Sequence, residues 1–362
     1  MRSILFIYFT LQLVIAQATA QSSTPDIQFS NHRWRPGYDT RKIGNTIIFQ
    51  GNNKKRNYFE GWYFKMVSTD GSAIMSVIPG IALSKDGKEQ HAFVQVIDGK
   101  TAQTRYYSYP VEEFWFARDG FTVKIGNNYF SKDRISLDLK DDSTSLSGSV
   151  SMSNRVEYIT NDWINPGIMG WYRFVPFMEC YHGVVSLTHS LSGILTTNAT
   201  TLDFTAGKGY IEKDWGSGMP SAWIWMQSNH FSNPTSSLML SVATIPWLGS
   251  SFNGFLGFFH HEGNTYHFAT YRRSKLKLEV IDDSRVQLKI VSRDHTLLIE
   301  AKSNNAGMLH APVEGVMDRR IPESIDAEVK VTLLNRKGDV VVSDSSSVTG
   351  LEMVGDYRRL QH

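Results

Sequence analysis

The residues best suited to do chemistry lie in Gly209-Tyr210-Ile211-Glu212-Lys213-Asp214-Trp215-Gly216 and, one turn later, in Trp223-Ile224-Trp225-Met226-Gln227-Ser228-Asn229-His230-Phe231. Acids, a lysine, three tryptophans and a histidine fall within about two strands' length of chain. An upstream stretch, Tyr58-Phe59-Glu60-Gly61-Trp62-Tyr63-Phe64-Lys65, repeats the mixture of acid and aromatic. A carboxyl among aromatic rings suits one kind of chemistry in particular. Burial keeps the acid protonated, and the π-faces stabilise positive charge that develops when an apolar substrate takes the proton.

Strand alternation sorts these residues into faces. Tyr58, Glu60, Trp62 and Phe64 share one face. If it points into a barrel, Glu60 sits in an apolar pocket that favours its neutral form. Tyr210, Glu212 and Asp214 share a face, opposite Ile211, Lys213 and Trp215. Trp223, Trp225, Gln227, Asn229 and Phe231 form another, opposite Ile224, Met226, Ser228 and His230. A plainer reading competes at each place. Glu60 is then a structural acid paired with Lys or Arg, the tryptophans fill cores, and Glu212, Lys213 and Asp214 form a surface ion pair.

Other clusters carry less. His260-His261-Glu262 with His267 has a metal-binding composition, but adjacent histidines on a strand face opposite ways. His182 and His189, seven residues apart, also fall on opposite faces of an ideal strand. No G-x-S-x-G, Walker or Rossmann pattern opens a helix, and the single cysteine, Cys180, has no CxxC partner. Metal, nucleotide cofactors and serine-hydrolase chemistry are therefore not expected. Cys180 lies in the run Phe177-Met178-Glu179-Cys180-Tyr181 and reads as a buried, inert thiol. With one cysteine, no disulfide forms within the chain, and stability must come from the core.

The elements that position these residues read as strands from Tyr58 onward. Phe121–Ile125, Ile135–Leu139, Val286–Ile290 and Val329–Leu333 alternate apolar and polar, and Asp-Gly turns recur at 70–71, 86–87, 98–99 and 119–120. Regular turns between short strands predict sandwiches or barrels. The 362 residues suffice for about two domains, and aromatics reach 12%. The formal net charge of +2 gives no electrostatic footprint for nucleic acid. A loose internal repeat supports duplication: Trp62–Met66, Ile74–Gly80 and Ala92–Val96 match Trp223–Gln227, Met239–Pro246 and Gly254–Phe258 in order. The division is placed at residues 21–200 and 201–362, with a long connection over 161–181.

At the N-terminus, Arg2, the apolar run Ile4–Ile15 and Ala18-Thr19-Ala20 have the form of a secretory signal over residues 1–20, cleaved before Gln21. The run is too short to span a bilayer. A secreted or lumenal protein is expected, with Asn198-Ala199-Thr200 as its glycosylation sequon.

At the motifs quoted first, extended by Gly170-Trp171-Tyr172 and Pro176–Gly183, the chain resembles the tocopherol cyclase-like family over roughly residues 30–358. The resemblance implies two lipocalin-like antiparallel β-barrels in tandem. It also implies acid-catalysed closure of a prenylated hydroquinone to a chromanol, with no cofactor. The first isoprenoid double bond is protonated, and the phenolic oxygen attacks the resulting tertiary cation. In that light Asp214 is the expected donor and Glu60 its competitor. Trp62, Trp215, Trp223 and Trp225 become pocket aromatics, with Tyr210 and Asn229 beside them and His230 and Glu179 as polar orienters. Plant members work in plastids, whereas this chain begins with a secretory pattern, so its substrate need not be a tocopherol precursor. A secreted carrier that binds a hydrophobic ligand without turnover is the alternative.

Overall fold

The computed structural model describes residues 38–39, 41–42, 45–118, 120–159, 166–176 and 178–361. The signal-peptide expectation for residues 1–20 lies outside them. The described chain is all-β, arranged as two antiparallel sheets.

The first sheet takes β1 (Tyr58–Val67), β2 (Ile74–Leu83), β3 (Gln90–Asp98), β4 (Thr104–Pro110), β5 (Phe114–Phe116), β6 (Thr122–Ile125), β7 (Asn128–Ser131), β8 (Arg134–Lys140), β9 (Ser145–Val156), β10 (Cys180–Thr197), β11 (Thr201–Asp203) and β12 (Lys208–Gly216). Its order is β4-β3-β2-β1-β12-β10-β9-β8-β7-β6-β5, with β11 on β10. The second takes β13 (Trp223–Ser228), β14 (Ser237–Trp247), β15 (Ser250–His261), β16 (Asn264–Ala269), β17 (Lys275–Val280), β18 (Arg285–Val291), β19 (His295–Lys302), β20 (Gly307–Val313), β21 (Val316–Asn335) and β22 (Val340–Val354). Its order is β16-β15-β14-β13-β22-β21-β19-β18-β17, with β20 on β21.

Each sheet curls, lipocalin-like, around its own apolar core. Trp62, Phe64, Phe114, Phe130 and Ile211 fill the first, and Ile224, Met226, Phe259, Leu288 and Val331 fill the second. Contacts between distant strands draw the curl together: Asn128 on β7 donates to the Tyr109 hydroxyl on β4 at 3.1 Å, and Tyr266 on β16 packs on His295 on β19 at 4.8 Å. The period-two segments read from the sequence supply these walls, apolar side inward.

The division expected at residue 200 is displaced. β12 is a central strand of the first sheet, hydrogen-bonded between β1 and β10, and the second sheet begins at Trp223. The expected break between residues 200 and 201 falls at the turn that holds Asn198. That turn only joins β10 to the short hairpin strand β11. Among its described residues the expected long connection contains one 3-10 turn, Gly170–Phe174, before β10 starts at Cys180.

A third apolar cluster joins the barrels through their outward faces. Tyr63, Val67, Ile74 and Tyr210 of the first meet Trp223, Trp225, Phe258, Ile321 and Ile325 of the second. Polar bonds cross the same junction: Asn229 Nδ2 to Gly209 O (2.8 Å), Ser237 Oγ to Leu187 O (2.8 Å), and a reciprocal Gln95–His310 pair (3.0 and 2.8 Å). Satisfying buried polar groups this way fixes how the barrels dock.

Candidate active site between the barrels

Alternation divides the chemistry between two places. On β1, Glu60 and Trp62 point into the first barrel, and Tyr63 and Lys65 point out toward the second. On β12, Lys213 and Trp215 point in, and Tyr210, Glu212 and Asp214 point out. On β13, Ile224 and Met226 enter the second core, while Trp223 and Trp225 face the first barrel. The outward faces enclose a cavity of about 170 Å³ between the barrels. Its walls are mainly apolar, from Phe59, Ile78, Phe93, Met169, Tyr172, Trp223, Trp225, Phe255 and Leu309. Into it come His182, Glu212, Asp214, Glu323 and Glu352.

Strand register sets the polar groups in two facing rows. In the first barrel Tyr63 lies opposite Glu212 across β1 and β12, and Asp214 lies opposite His182 across β12 and β10. In the second, Trp225, Glu352 and Glu323 form one row across β13, β22 and β21. Tyr63 links the rows: its hydroxyl donates to Glu323 Oε1 at 2.6 Å, and its ring meets Trp225 edge-on at 5.4 Å. Gly350 makes room for this packing, because a Cβ there would come within 2.7 Å of the Trp225 ring.

The two rows differ in charge. His182 Nδ1 bonds Asp214 Oδ1 at 2.8 Å, and Nε2 lies 3.3 Å from Glu212 Oε2, which also accepts from the Tyr210 hydroxyl at 2.5 Å. Burial disfavours the imidazolium, but the two acids outweigh it and hold His182 well above its ordinary value. Burial also pushes Glu212 up, and His182 partly offsets this. The opposite row lacks so close a cation. Burial pushes Glu323 up to about 7, against the pull of the Tyr63 hydrogen bond and Lys65. Glu352 stands well above the carboxylate range through burial and the nearby Glu323 charge, against the indole N–H of Trp223 that donates to it.

The expected site residues fall on both sides of this division. Asp214, Trp223 and Trp225 line the cavity, and Tyr210 holds Glu212 behind it. Glu60 is fully buried, but inside the first barrel. Its carboxylate accepts from Lys213 Nζ, the Tyr58 hydroxyl and Gln50 N, so it is a saturated ion-pair partner facing away from the cavity. The competing donor is thereby removed, and the plainer reading of Glu60 holds. Trp62 and Trp215 flank Lys213, each ring centroid 4.8 Å from Nζ, and do not line the cavity. Asn229 ties the barrels together, and β13 ends at Ser228, so Phe231 turns into the second core instead of continuing the Trp223 face. His230 and Glu179 do not line the cavity; burial pulls His230 down to about 3. Asn198 is exposed in the β10–β11 turn, bonded to Ser145 and Ser143. Cys180 is half-buried beside Asp214 at 3.7 Å, and burial raises its thiol well above the ordinary value.

Glu323, Glu352 and His182 were missed as site residues. The signal was an acid inside an apolar run, Ile321-Pro322-Glu323-Ser324-Ile325 and Leu351-Glu352-Met353-Val354, the same pattern that singled out Glu60. Among the described residues, His182, Glu212 and Asp214 are the one group whose potential metal-ligand atoms lie within 4.8 Å of one another. Those atoms are engaged with each other as an ion-paired triad. His260 and His267 have separate partners, Thr265 and Tyr158.

Two curled antiparallel sheets with an acid-bearing apolar cavity between them define a tandem-barrel protein equipped for a small hydrophobic molecule. The chain belongs to the tocopherol cyclase-like family, whose model matches residues 139–355. It is 23% identical over 198 residues to the probable chloroplastic tocopherol cyclase of Oryza sativa subsp. japonica, covering 51% of this chain and 42% of that protein. It is 22% identical to the chloroplastic tocopherol cyclase of Zea mays, covering 51% and 41%. The matches thus span about two-fifths of the length of these relatives. Among solved structures, CghA is similar over 91% of this chain and 96% of its own, with a TM-score of 0.54 and 10% identity. CghA with Sch210972 is similar over 83% and 89%, with a TM-score of 0.51 and 10% identity. At that identity the likeness is one of fold. Among the described residues no helix is long and apolar enough to cross a membrane.

Proposed function

We propose that the protein is a cyclase that closes a prenylated hydroquinone to a chromanol in the cavity between its barrels. One observation carries the reading: an apolar, tryptophan-walled cavity holds a carboxyl group, Glu352, that burial raises well above the carboxylate range. A neutral acid is what alkene protonation needs near neutral pH. The prenyl double bond takes a proton, the π bond becomes a C–H bond, and a tertiary cation forms beside Trp223 and Trp225. The phenolic oxygen then attacks, a C–O bond forms, and the phenolic proton leaves, so the reaction is an isomerisation. Asp214 is better suited to the last step than to the first. Its Oδ1 already accepts from His182, which is the posture of a base or phenol orienter and not of a donor. The secretory pattern at the N-terminus supports a reaction outside the cytosol and prenylated phenols other than plastid tocopherol precursors as substrates.

Incubation of the purified protein with a panel of prenylated hydroquinones tests this. Chromanol is expected from at least one member, and Asp214→Asn is expected to slow it. Tight binding of the panel with no chromanol from any member would make the protein a carrier of hydrophobic ligands.

A further inference from the structure

We propose that Glu323 and Glu352 act as one acid: the pair holds a single proton at neutral pH, carried on Glu352, and presents it to the cavity as the donor. The two are direct partners across β21 and β22. Residues so paired have Cβ atoms about 4.5–5.5 Å apart. Two carboxylates that close in an apolar cavity cannot both ionise without large repulsion. Their hydrogen bonds assign the proton. Glu323 accepts from the Tyr63 hydroxyl at 2.6 Å and lies in the field of Lys65, both of which favour its ionised form. Glu352 has one oxygen on the Trp223 indole and stands beside Trp225, its cross-strand neighbour.

The second observation is what the site leaves unfilled. Glu323 is 0% exposed, it lines the cavity, and its Oε2 has no hydrogen-bond partner. The Trp225 indole nitrogen is also buried and without a partner. Buried polar atoms of this kind are rare and point to a missing ligand. A hydroxyl at the head of an otherwise apolar molecule would satisfy them, which matches the substrate class of the cyclase reading on which the donor role rests.

The other titratable groups around the pair are accounted for. From the first barrel these are Tyr63, Lys65, Glu212, Asp214, His182 and Cys180. From the second they are His310 and Arg319, whose charge reaches Glu352 but whose guanidinium lies over the Trp223 ring at 4.8 Å and donates to Pro220 O and Ser221 O at 2.7 and 2.8 Å. Lys65 is buried against Val348 O at 3.0 Å and Gln227 Oε1 at 3.3 Å, with burial pulling it to about 7. His182 is held by Glu212 and Asp214. Neither is hydrogen-bonded to the pair, so neither takes its proton directly. In turnover Glu352 gives its proton to the alkene carbon, the phenolic proton leaves to Asp214, and the cycle closes when Asp214 releases that proton to solvent and the pair regains one from it.

The test has two arms. Carbon-13 NMR of protein labelled at the glutamate carboxyl, without ligand, should show two coupled titrations at this pair and one protonated carboxyl at pH 7. In Glu323→Gln the surviving Glu352 should titrate at lower pH. Two ionised carboxylates at pH 7 would overturn the proposal. In turnover of the prenylated hydroquinone found above, Glu352→Gln should lose ~10²–10⁴-fold in rate. In Glu323→Gln the high-pH fall of turnover should lie at a lower pH than in wild type. Wild-type turnover by Glu352→Gln would remove the donor role even if the shared proton is seen. A shared proton with no turnover of any hydroquinone would overturn both the donor role and the cyclase reading, leaving only the pair.

Discussion

The first barrel and the junction between the barrels each bury a glutamate among aromatic rings, with opposite results. Inside the first barrel Glu60 meets Lys213, Tyr58 and Gln50, and every group is answered. At the junction Glu352 meets an indole and another acid, and the unanswered oxygen of Glu323 faces the cavity. Burial alone therefore does not make an acid reactive. What matters is whether the buried neighbours supply a cation. With Lys213 flanked by Trp62 and Trp215, Glu60 holds the barrel together; without such a partner, Glu352 keeps its proton and has it available to give.

Substitutions on the two sides should separate these roles. Lys213→Met strands the Glu60 charge in a dry core and should cost ~3–5 kcal/mol of stability, read from denaturant midpoints. Glu323→Gln and Glu352→Gln should cost far less at pH 7, because neither removes one partner of a close ion pair like that of Glu60 with Lys213. Tyr58→Phe, which deletes one donor to Glu60, should cost ~1.5–3 kcal/mol by the same measurement.

Stability should also depend on pH through the junction. Glu323 is raised in the fold to about 7 from an ordinary 4.5. Across that window the folded chain holds a proton that the unfolded chain has released, so stability falls as pH climbs from about 4.5 to about 7 and then levels off. His182 has the same sign in a higher window: its contribution is full below its unfolded value near 6.5 and is lost as pH rises through its raised folded value. Burial pulls His189, His230 and His267 down, which acts in the opposite direction below about pH 6.5, so the junction's share is read as a difference: between pH 5 and pH 8, denaturant midpoints of wild type should fall more, or rise less, than those of Glu323→Gln. The smallest effect is expected from Trp223→Phe. Losing the indole bond, at ~0.5–1.5 kcal/mol, should move the high-pH fall of turnover upward, since that bond favours ionised Glu352.

The strand faces were legible because side-chain parity is a local property. Glu60 with Trp62, Glu212 with Asp214, and Trp223 with Trp225 all fall together as the alternation predicts. Which parity lines a cavity is not local. The sequence reading looked for a pocket inside a barrel, but apolar side chains fill the core of the first barrel and the acid-bearing cavity lies on outward faces. That Glu60 pairs with Lys213 depends on the register of β1 against β12, which sets Trp62 opposite Lys213 across some 150 residues of chain. Glu323 and Glu352 meet the Trp223–Trp225 face only because β22 pairs with both β13 and β21. The expected division failed for the same reason: β12 lies beyond residue 200 but is a central strand of the first sheet through its pairing with β1 and β10.

The most direct test sets the two glutamates against each other in one assay: chromanol formation per folded molecule by Glu352→Gln and by Tyr58→Phe, the latter loosening Glu60 in place. Loss of ~10²–10⁴-fold in Glu352→Gln with wild-type turnover in folded Tyr58→Phe is the predicted result. Undiminished turnover by Glu352→Gln, with turnover lost in fully folded Tyr58→Phe, would place the acid inside the first barrel and contradict the assignment of the active site to the junction.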